Sequence, residues 1–130
     1  MKNIWVNGCF DILHIGHLEM LQFARSLGDN LRVGIDSDDK VKIDKGLSRP
    51  FNTQQNRKSM LEGFSCVDEV VIFNTPKELE DMVKEYSPEA MVVGSDWREK
   101  PVIGSSHTNE VVYFDRIGDH STTAILERQK

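Results

Sequence analysis

The stretch Gly8-Cys-Phe-Asp-Ile-Leu-His-Ile-Gly-His17 brings together residue types suited to phosphate chemistry. His14 and His17 stand at i and i+3, neighbours on one face if the segment opens a helix, and Gly16 between them leaves room beside the rings. Ahead of them, Ile4, Trp5 and Val6 form a short apolar run that reads as a buried strand; behind them, Leu18, Leu21, Phe23 and Ala24 recur at helical spacing. The segment is therefore predicted to be a strand-to-helix turn. A helix start offers unpaired backbone N–H groups and the positive end of the macrodipole, and Gly8, lacking a Cβ, lets a phosphate approach the backbone. The same two histidines also fit half of a helical metal site, or a polar helix end with no task. The remaining histidines, His107 and His120, are isolated, and no second His or Cys cluster completes a metal set.

A second candidate phosphate cradle is Ser121-Thr122-Thr123, hydroxyls set just before the apolar run Ala124, Ile125, Leu126, where an ordinary N-cap would look alike. Together the two stretches resemble the paired signatures of the HIGH-type nucleotidyltransferase superfamily, the cytidylyltransferase-like proteins: (T/C)FDxxHxGH near the start and an STT-type motif near the end. Within it, Lys45-Gly-Leu-Ser-Arg-Pro50 followed by Asn52 and Arg57, and Asp96 followed by Ile103-Gly104, are similar to the heptose 1-phosphate adenylyltransferases. Gly94-Ser-Asp-Trp97 and Val111-Val-Tyr-Phe-Asp-Arg116 are instead similar to the glycerol-3-phosphate cytidylyltransferases. The chain departs from the latter at Ser65, where a further Arg stands, and between Arg116 and Ser121.

The resemblance implies transfer of a nucleoside monophosphate from an NTP, ATP or CTP, to a sugar phosphate or polyol phosphate, with release of pyrophosphate. It assigns His14 and His17 to the phosphates undergoing reaction, with Gly8, Cys9, Phe10, Asp11 and Gly16 around the nucleotide and Ser121, Thr122 and Thr123 on its β- and γ-phosphates. Lys45, with Lys42 second, is the expected mobile cation over triphosphate or acceptor, and a solvated charged loop is the other reading. Arg57 and Arg116 suit phosphate forks or stacking on a base, Arg57 on the acceptor side and Arg116 in catalysis, since guanidinium is planar and always charged. Asp96 and Trp97 are expected by the base or ribose. Asp36 and Asp38 are expected to accept hydrogen bonds from acceptor hydroxyls, or else to be turn residues. Asp11 is expected to orient the histidines or approach Mg²⁺, which the triphosphate itself would mostly hold; its other reading is a turn cap. The resemblance further implies a homodimer. A non-catalytic nucleotide-binding module is the alternative from another class, and retention of both histidines with Ser-Thr-Thr argues against it.

The elements that must position these groups follow from the apolar pattern. Leu31 to Ile35 reads as a second strand, after a helix closed by Leu27-Gly28. Lys40 to Thr53, polar and punctuated by Gly and Pro, reads as a loop. A helix is predicted from Thr53 or Gln54 with Met60, Leu61 and Phe64 as its apolar face, then a strand over Val67 to Phe73 buried on both faces. Thr75-Pro76 opens a helix with Leu79, Met82, Val83 and Tyr86 inward. Ala90 to Val93 and Val111 to Phe114 are the last strands, separated by a long polar loop to Asn109, and a final helix follows Ser121. Strands alternating with helices predict an α/β, Rossmann-like, doubly wound five-stranded parallel sheet in the order 3-2-1-4-5. That order puts Gly8 to His17 and Gly94 to Trp97 side by side at the carboxyl ends of the strands, where ligands sit in such sheets.

At 130 residues the chain is read as one domain, 1–130. A net charge of −5 disfavours binding to a polyanion such as nucleic acid, so basic residues gathered at one place gain interest. No apolar stretch is long enough to span a bilayer and no signal peptide is evident, which predicts a cytoplasmic protein. Cys9 and Cys66 lack CxxC spacing and read as small buried residues of a reducing compartment; no base is placed to activate Cys9 as a nucleophile.

Overall fold

Apolar alternation along the central strand sets the layers. In β1 (Asn3–Gly8), Ile4 and Val6 face one side and Trp5 the other, and all three are buried. The computed structural model, which describes residues 1–115, places β1 at the centre of one parallel sheet with β2 (Asn30–Asp36), β3 (Glu69–Phe73), β4 (Ala90–Gly94) and β5 (Glu110–Phe114). The order is 3-2-1-4-5, as the sequence predicts, and every pairing is parallel. Arg116, Ser121, Thr122, Thr123 and the predicted final helix lie outside the described residues.

Among the described residues, four helices cover the sheet: α1 (Ile15–Ser26), α2 (Asp38–Lys45), α3 (Gln54–Glu62) and α4 (Pro76–Tyr86). Leu21 and Ala24 of α1 and Leu61 of α3 pack with Ile4, Val6, Leu31, Val33 and Ile35 on one face. Leu79, Val83 and Tyr86 of α4 pack with Trp5, Phe73 and Met91 on the other. The two apolar faces are what a doubly wound sheet requires.

Several local expectations are corrected. The predicted loop from Lys40 contains α2, because Ser37 caps its start by accepting from the Lys40 N–H, Asp38 and Asp39 suit the positive end of the helix dipole, and Lys40 pairs with Asp44 one turn on at 2.6 Å. Gly46, at φ 105°, ends it in a conformation that favours glycine. In α3, Met60 is exposed, Phe64 lies beyond the helix end, and Arg57 takes a core-facing place beside Leu61. β3 is an edge strand with Val71 and Ile72 only half-buried, and the span before β5 holds two short 3₁₀ turns, Ser95–Trp97 and Ser105–His107. Leu27 and Gly28 close α1 as expected, and Gly28 is also required for close approach: a Cβ there would stand 2.6 Å from the Lys2 carbonyl.

Gly34 has the same reason to be glycine, since its Cβ would lie 2.6 Å from Cζ2 of the fully buried Trp5. Gly34→Ala is expected to destabilise the fold by about 1–3 kcal/mol through overpacking, measured by urea unfolding; an unchanged midpoint would mean that the indole has room to shift.

Candidate active site

The site begins where β1 ends. The chain turns through Cys9 and Phe10, and Phe10 has φ 51°, a left-handed conformation costly for an aromatic residue. Phe10 is held there by burial and by edge-on packing against His17, with ring centroids 5.3 Å apart. A Cβ on Gly8 would crowd the Phe10 ring at 3.1 Å. The turn delivers the chain to His14, the N-cap of α1.

His14 and His17 form a reciprocal capping box. The Gly16 N–H donates to His14 Nδ1 at 3.1 Å, and the His14 N–H donates to His17 Nδ1 at 3.3 Å. Each Nδ1 is thereby an acceptor, which assigns the hydrogen of each neutral ring to Nε2. The rings stand 3.9 Å apart, tilted by 34°, so both can serve one ligand.

A cavity of about 450 Å³ opens over the carboxyl ends of the strands. His14, Gly16 and His17 line it together with Gly8, Cys9 and Phe10; from β2 and α2 come Asp36, Lys40, Asp44 and Lys45. Asp96 and Trp97, in the turn after β4, line its other side, while Phe73, Leu79, Val102 and Ile103 supply an apolar wall. Burial pushes the Asp36 carboxyl above its ordinary range, and Asp44 adds to this while Lys40 and Lys45 oppose it. Burial likewise raises the Cys9 thiol, against the opposing charges of Lys45 and Arg57, so Cys9 remains a thiol at neutral pH.

Other residues expected at the site stand behind it. Arg57, expected at the acceptor, has a fully buried side chain. Its Nη1 donates to the carbonyls of Cys9 at 2.9 Å and Asp36 at 2.7 Å, its Nε to that of Asn52 at 3.0 Å, and its Nη2 to the Asp38 carboxylate at 2.9 Å. The arginine joins the turn after β1, the end of β2, the start of α2 and the segment before α3. Asp38, also expected at the acceptor, is occupied by this contact and by a reciprocal pair with Gln54. Asp11 is buried, and its carboxylate accepts from the Phe51 and Asn52 N–H groups, both at 2.8 Å, and from Arg49 Nε at 3.1 Å. It anchors the 49–52 segment and contacts neither histidine through these bonds. Lys42 is exposed and is not part of the cavity wall.

Sequence reasoning missed Lys40 and Asp44 as cavity residues. Their signal was present as Lys40 and Asp44 at an i+4 step shortly after Asp36, and it becomes readable only once α2 is recognised as a helix. Among the described residues, no group of three or more His, Cys, Asp or Glu side chains is placed to hold a metal ion. Nor is any helix among them long and apolar enough to cross a membrane.

A parallel 3-2-1-4-5 sheet with paired helix-start histidines beside a cavity at its carboxyl edge defines a doubly wound, Rossmann-like α/β domain. Comparison with known proteins makes the class specific: the profile of the Cytidylyltransferase-like family matches residues 5–128, and the chain belongs to that family of HIGH-type nucleotidyltransferases. Its similar proteins include the "Bifunctional protein HldE" of Helicobacter hepaticus, 50% identical over 128 residues, covering 97% of this chain and 26% of that protein. The protein of the same name from Nitratiruptor sp. is 47% identical over 129 residues, covering 98% and 27%. The chain thus spans about a quarter of the length of the curated relatives it matches. In fold it is similar to the lipopolysaccharide core biosynthesis protein from Thermoplasma volcanium, with a TM-score of 0.68 at 22% identity over 93% of this chain and 99% of that one.

Two stability predictions follow from the residues behind the cavity. Removing the guanidinium in Arg57→Ala leaves the Cys9, Asp36 and Asn52 carbonyls and the Asp38 carboxylate without their donor, and unfolding free energy is expected to fall by about 3–5 kcal/mol in urea titration. For Asp11, burial alone would raise the carboxyl, but the two backbone N–H donors and Arg49 outweigh it and hold it below the usual carboxylate range. A lowered folded-state pKa contributes stability that is present above the unfolded value, near pH 4, and is lost as pH falls through the folded one. Asp11→Asn is therefore expected to destabilise by about 1–3 kcal/mol at pH 7, with the gap to the unsubstituted chain narrowing below about pH 4; a gap independent of pH would contradict the assigned bonds.

Proposed function

We propose that this chain transfers a nucleoside monophosphate from an NTP to a small phosphomonoester, a sugar phosphate or polyol phosphate, releasing pyrophosphate. The reading most like it is heptose 1-phosphate adenylyltransferase, supported by identities near one half to the HldE proteins and by the Lys45 to Arg57 segment. The observation that carries the proposal is the shared cavity: the capped histidine pair, Lys45 and the Asp96-Trp97 turn line one space of about 450 Å³ at the strand ends.

The acceptor needs no strong general base, because a phosphate oxygen is already ionised at pH 7. That oxygen attacks the α-phosphorus in line as the bond to the β-phosphate bridging oxygen breaks, and the electron pair leaves on pyrophosphate. The protein supplies alignment and charge stabilisation. His14 and His17, side by side at the start of α1, act on the α-phosphate oxygens, and the positive end of the α1 dipole lies behind them. Lys45 neutralises the acceptor phosphate and so lets two anions meet. Asp36 accepts from an acceptor hydroxyl, and Trp97, partly exposed, offers an apolar face near the base or ribose. Arg116 and Ser121 to Thr123 keep the roles on the leaving phosphates that the resemblance implies, outside the described residues.

Mg²⁺ belongs to this proposal as a partner of the nucleotide. Both oxygens of Asp11, the carboxylate assigned to it, are taken by protein donors, so Asp11 does not fit a metal ligand. The ion's usual place on triphosphate oxygens and water is its natural location here, and no step is routed through it. The same resemblance makes the acting unit a cytoplasmic homodimer.

Pyrophosphate release on mixing the chain with Mg²⁺, each NTP and a panel of phosphomonoesters tests the reading. Turnover is expected with ATP and a sugar phosphate; CTP with glycerol 3-phosphate would favour the cytidylyl alternative, and nucleotide binding without turnover on the whole panel would favour the module. His17→Ala, and His14→Asn, which keeps a capping acceptor, are expected to lower kcat about 10²- to 10³-fold while the chain stays folded by circular dichroism. Near-normal kcat in either variant removes that ring from the chemistry.

A further inference from the structure

One wall of the cavity poses an electrostatic question. A cleft that must hold a triphosphate and a second phosphate also presents two carboxylates, Asp36 and Asp44, to its occupants. Carboxylates repel phosphates, so their place in this wall implies a contact with something else on the ligand, either hydroxyl donors or a cation.

Lys40 decides between these. Its Nζ lies 2.6 Å from Asp44 Oδ2 and 3.9 Å from Asp36 Oδ2, with the Phe73 ring centroid 5.7 Å away. Its side chain is 16% exposed, so the ammonium is packed into the wall and does not wave in solvent. Lys40 also stands in the first turn of α2, the end of a helix where a positive charge is disfavoured. The two carboxylates offset that cost, and together they hold the ammonium at the position where a cationic ligand group would otherwise pair with them. Asp36 and Asp44 keep lone pairs for neutral donors, while a second cation would meet Lys40 at close range.

We propose that Lys40 is a specificity-determining residue: clamped between Asp36 and Asp44, it excludes aminoalcohol phosphates such as phosphoethanolamine and phosphocholine, and restricts the acceptor to phosphomonoesters bearing hydroxyls. The inference rests on the nucleotidyltransferase reading above and deepens it by naming the residue that keeps cationic acceptors out. Rejection comes from a charge placed against the wrong ligand as much as from contacts offered to the right one.

The test compares kcat/KM of the full chain for a sugar 1-phosphate, glycerol 3-phosphate, phosphoethanolamine and phosphocholine, with the NTP saturating. The unsubstituted chain is expected to prefer its best hydroxylated acceptor over either aminoalcohol phosphate by about a hundredfold or more. In Lys40→Met that ratio is expected to shrink by about tenfold or more, with KM for the NTP unchanged. Lys40→Gln, a helix-compatible neutral replacement, repeats the measurement if the Met variant does not fold. A ratio unmoved in the folded variant, or aminoalcohol phosphates used by the unsubstituted chain as well as hydroxylated ones, overturns the inference and leaves nucleotidyl transfer intact. A shift in KM for the NTP with the acceptor ratio constant also overturns it, by assigning the wall to the nucleotide. Absence of pyrophosphate release with every acceptor overturns the underlying reading, and this inference with it.

Discussion

A buried guanidinium is tolerable only when its donors are met, and Arg57 meets four protein oxygens from three separate stretches of chain. That constraint links the two halves of the cavity. On one side it takes the Cys9 carbonyl, which belongs to the turn leading to the histidines; on the other it takes the Asp36 carbonyl and the Asp38 carboxylate, from which α2 departs with Lys40, Asp44 and Lys45. The spacing between the histidine pair and the α2 charges is therefore set by a side chain that does not itself line the cavity. Asp11 performs a parallel task from the opposite direction, fastening the 49–52 segment to the turn after β1.

The charges within the cavity divide by function. Where the α-phosphate is assigned, the protein presents the two imidazoles and the positive end of the α1 dipole, which favour charge as it develops. Where the acceptor is assigned, it presents a cation, Lys45, and beside it Lys40, whose ammonium is held between two carboxylates. Under the proposed reading such a wall suits one phosphate and a set of hydroxyls, without the uniform positive field that would hold a polyanion indiscriminately.

Most of the architecture was legible because each strand is short, apolar and followed by a capped helix or a turn signal. Thr75-Pro76 opens α4 unaided, and the strand order follows from the alternation of elements. The stretch from Lys40 was misread because α2 has little apolar content, with Val41 its one buried residue, and takes its stability from Ser37, the Asp38 and Asp39 charges and the Lys40–Asp44 pair. Arg57 was misread for a related reason. A charged residue in a polar helix reads as a surface ligand contact, and nothing local says that three carbonyls and a carboxylate will converge on it.

The sequence by itself determined the fold class, the helix-start histidines and the family, since strand periodicity, capping and the HxGH spacing are local properties of consecutive residues. Only the tertiary structure decided which charges face the ligand and which are consumed in holding the frame. Asp11, Asp38 and Arg57 went to the frame, while Asp36, Lys40, Asp44 and Lys45 went to the cavity. The physical reason is that a charged side chain's role depends on which partners reach it first. For Arg57 those partners come from positions up to 48 residues away, brought within hydrogen-bond range by the packing of the sheet.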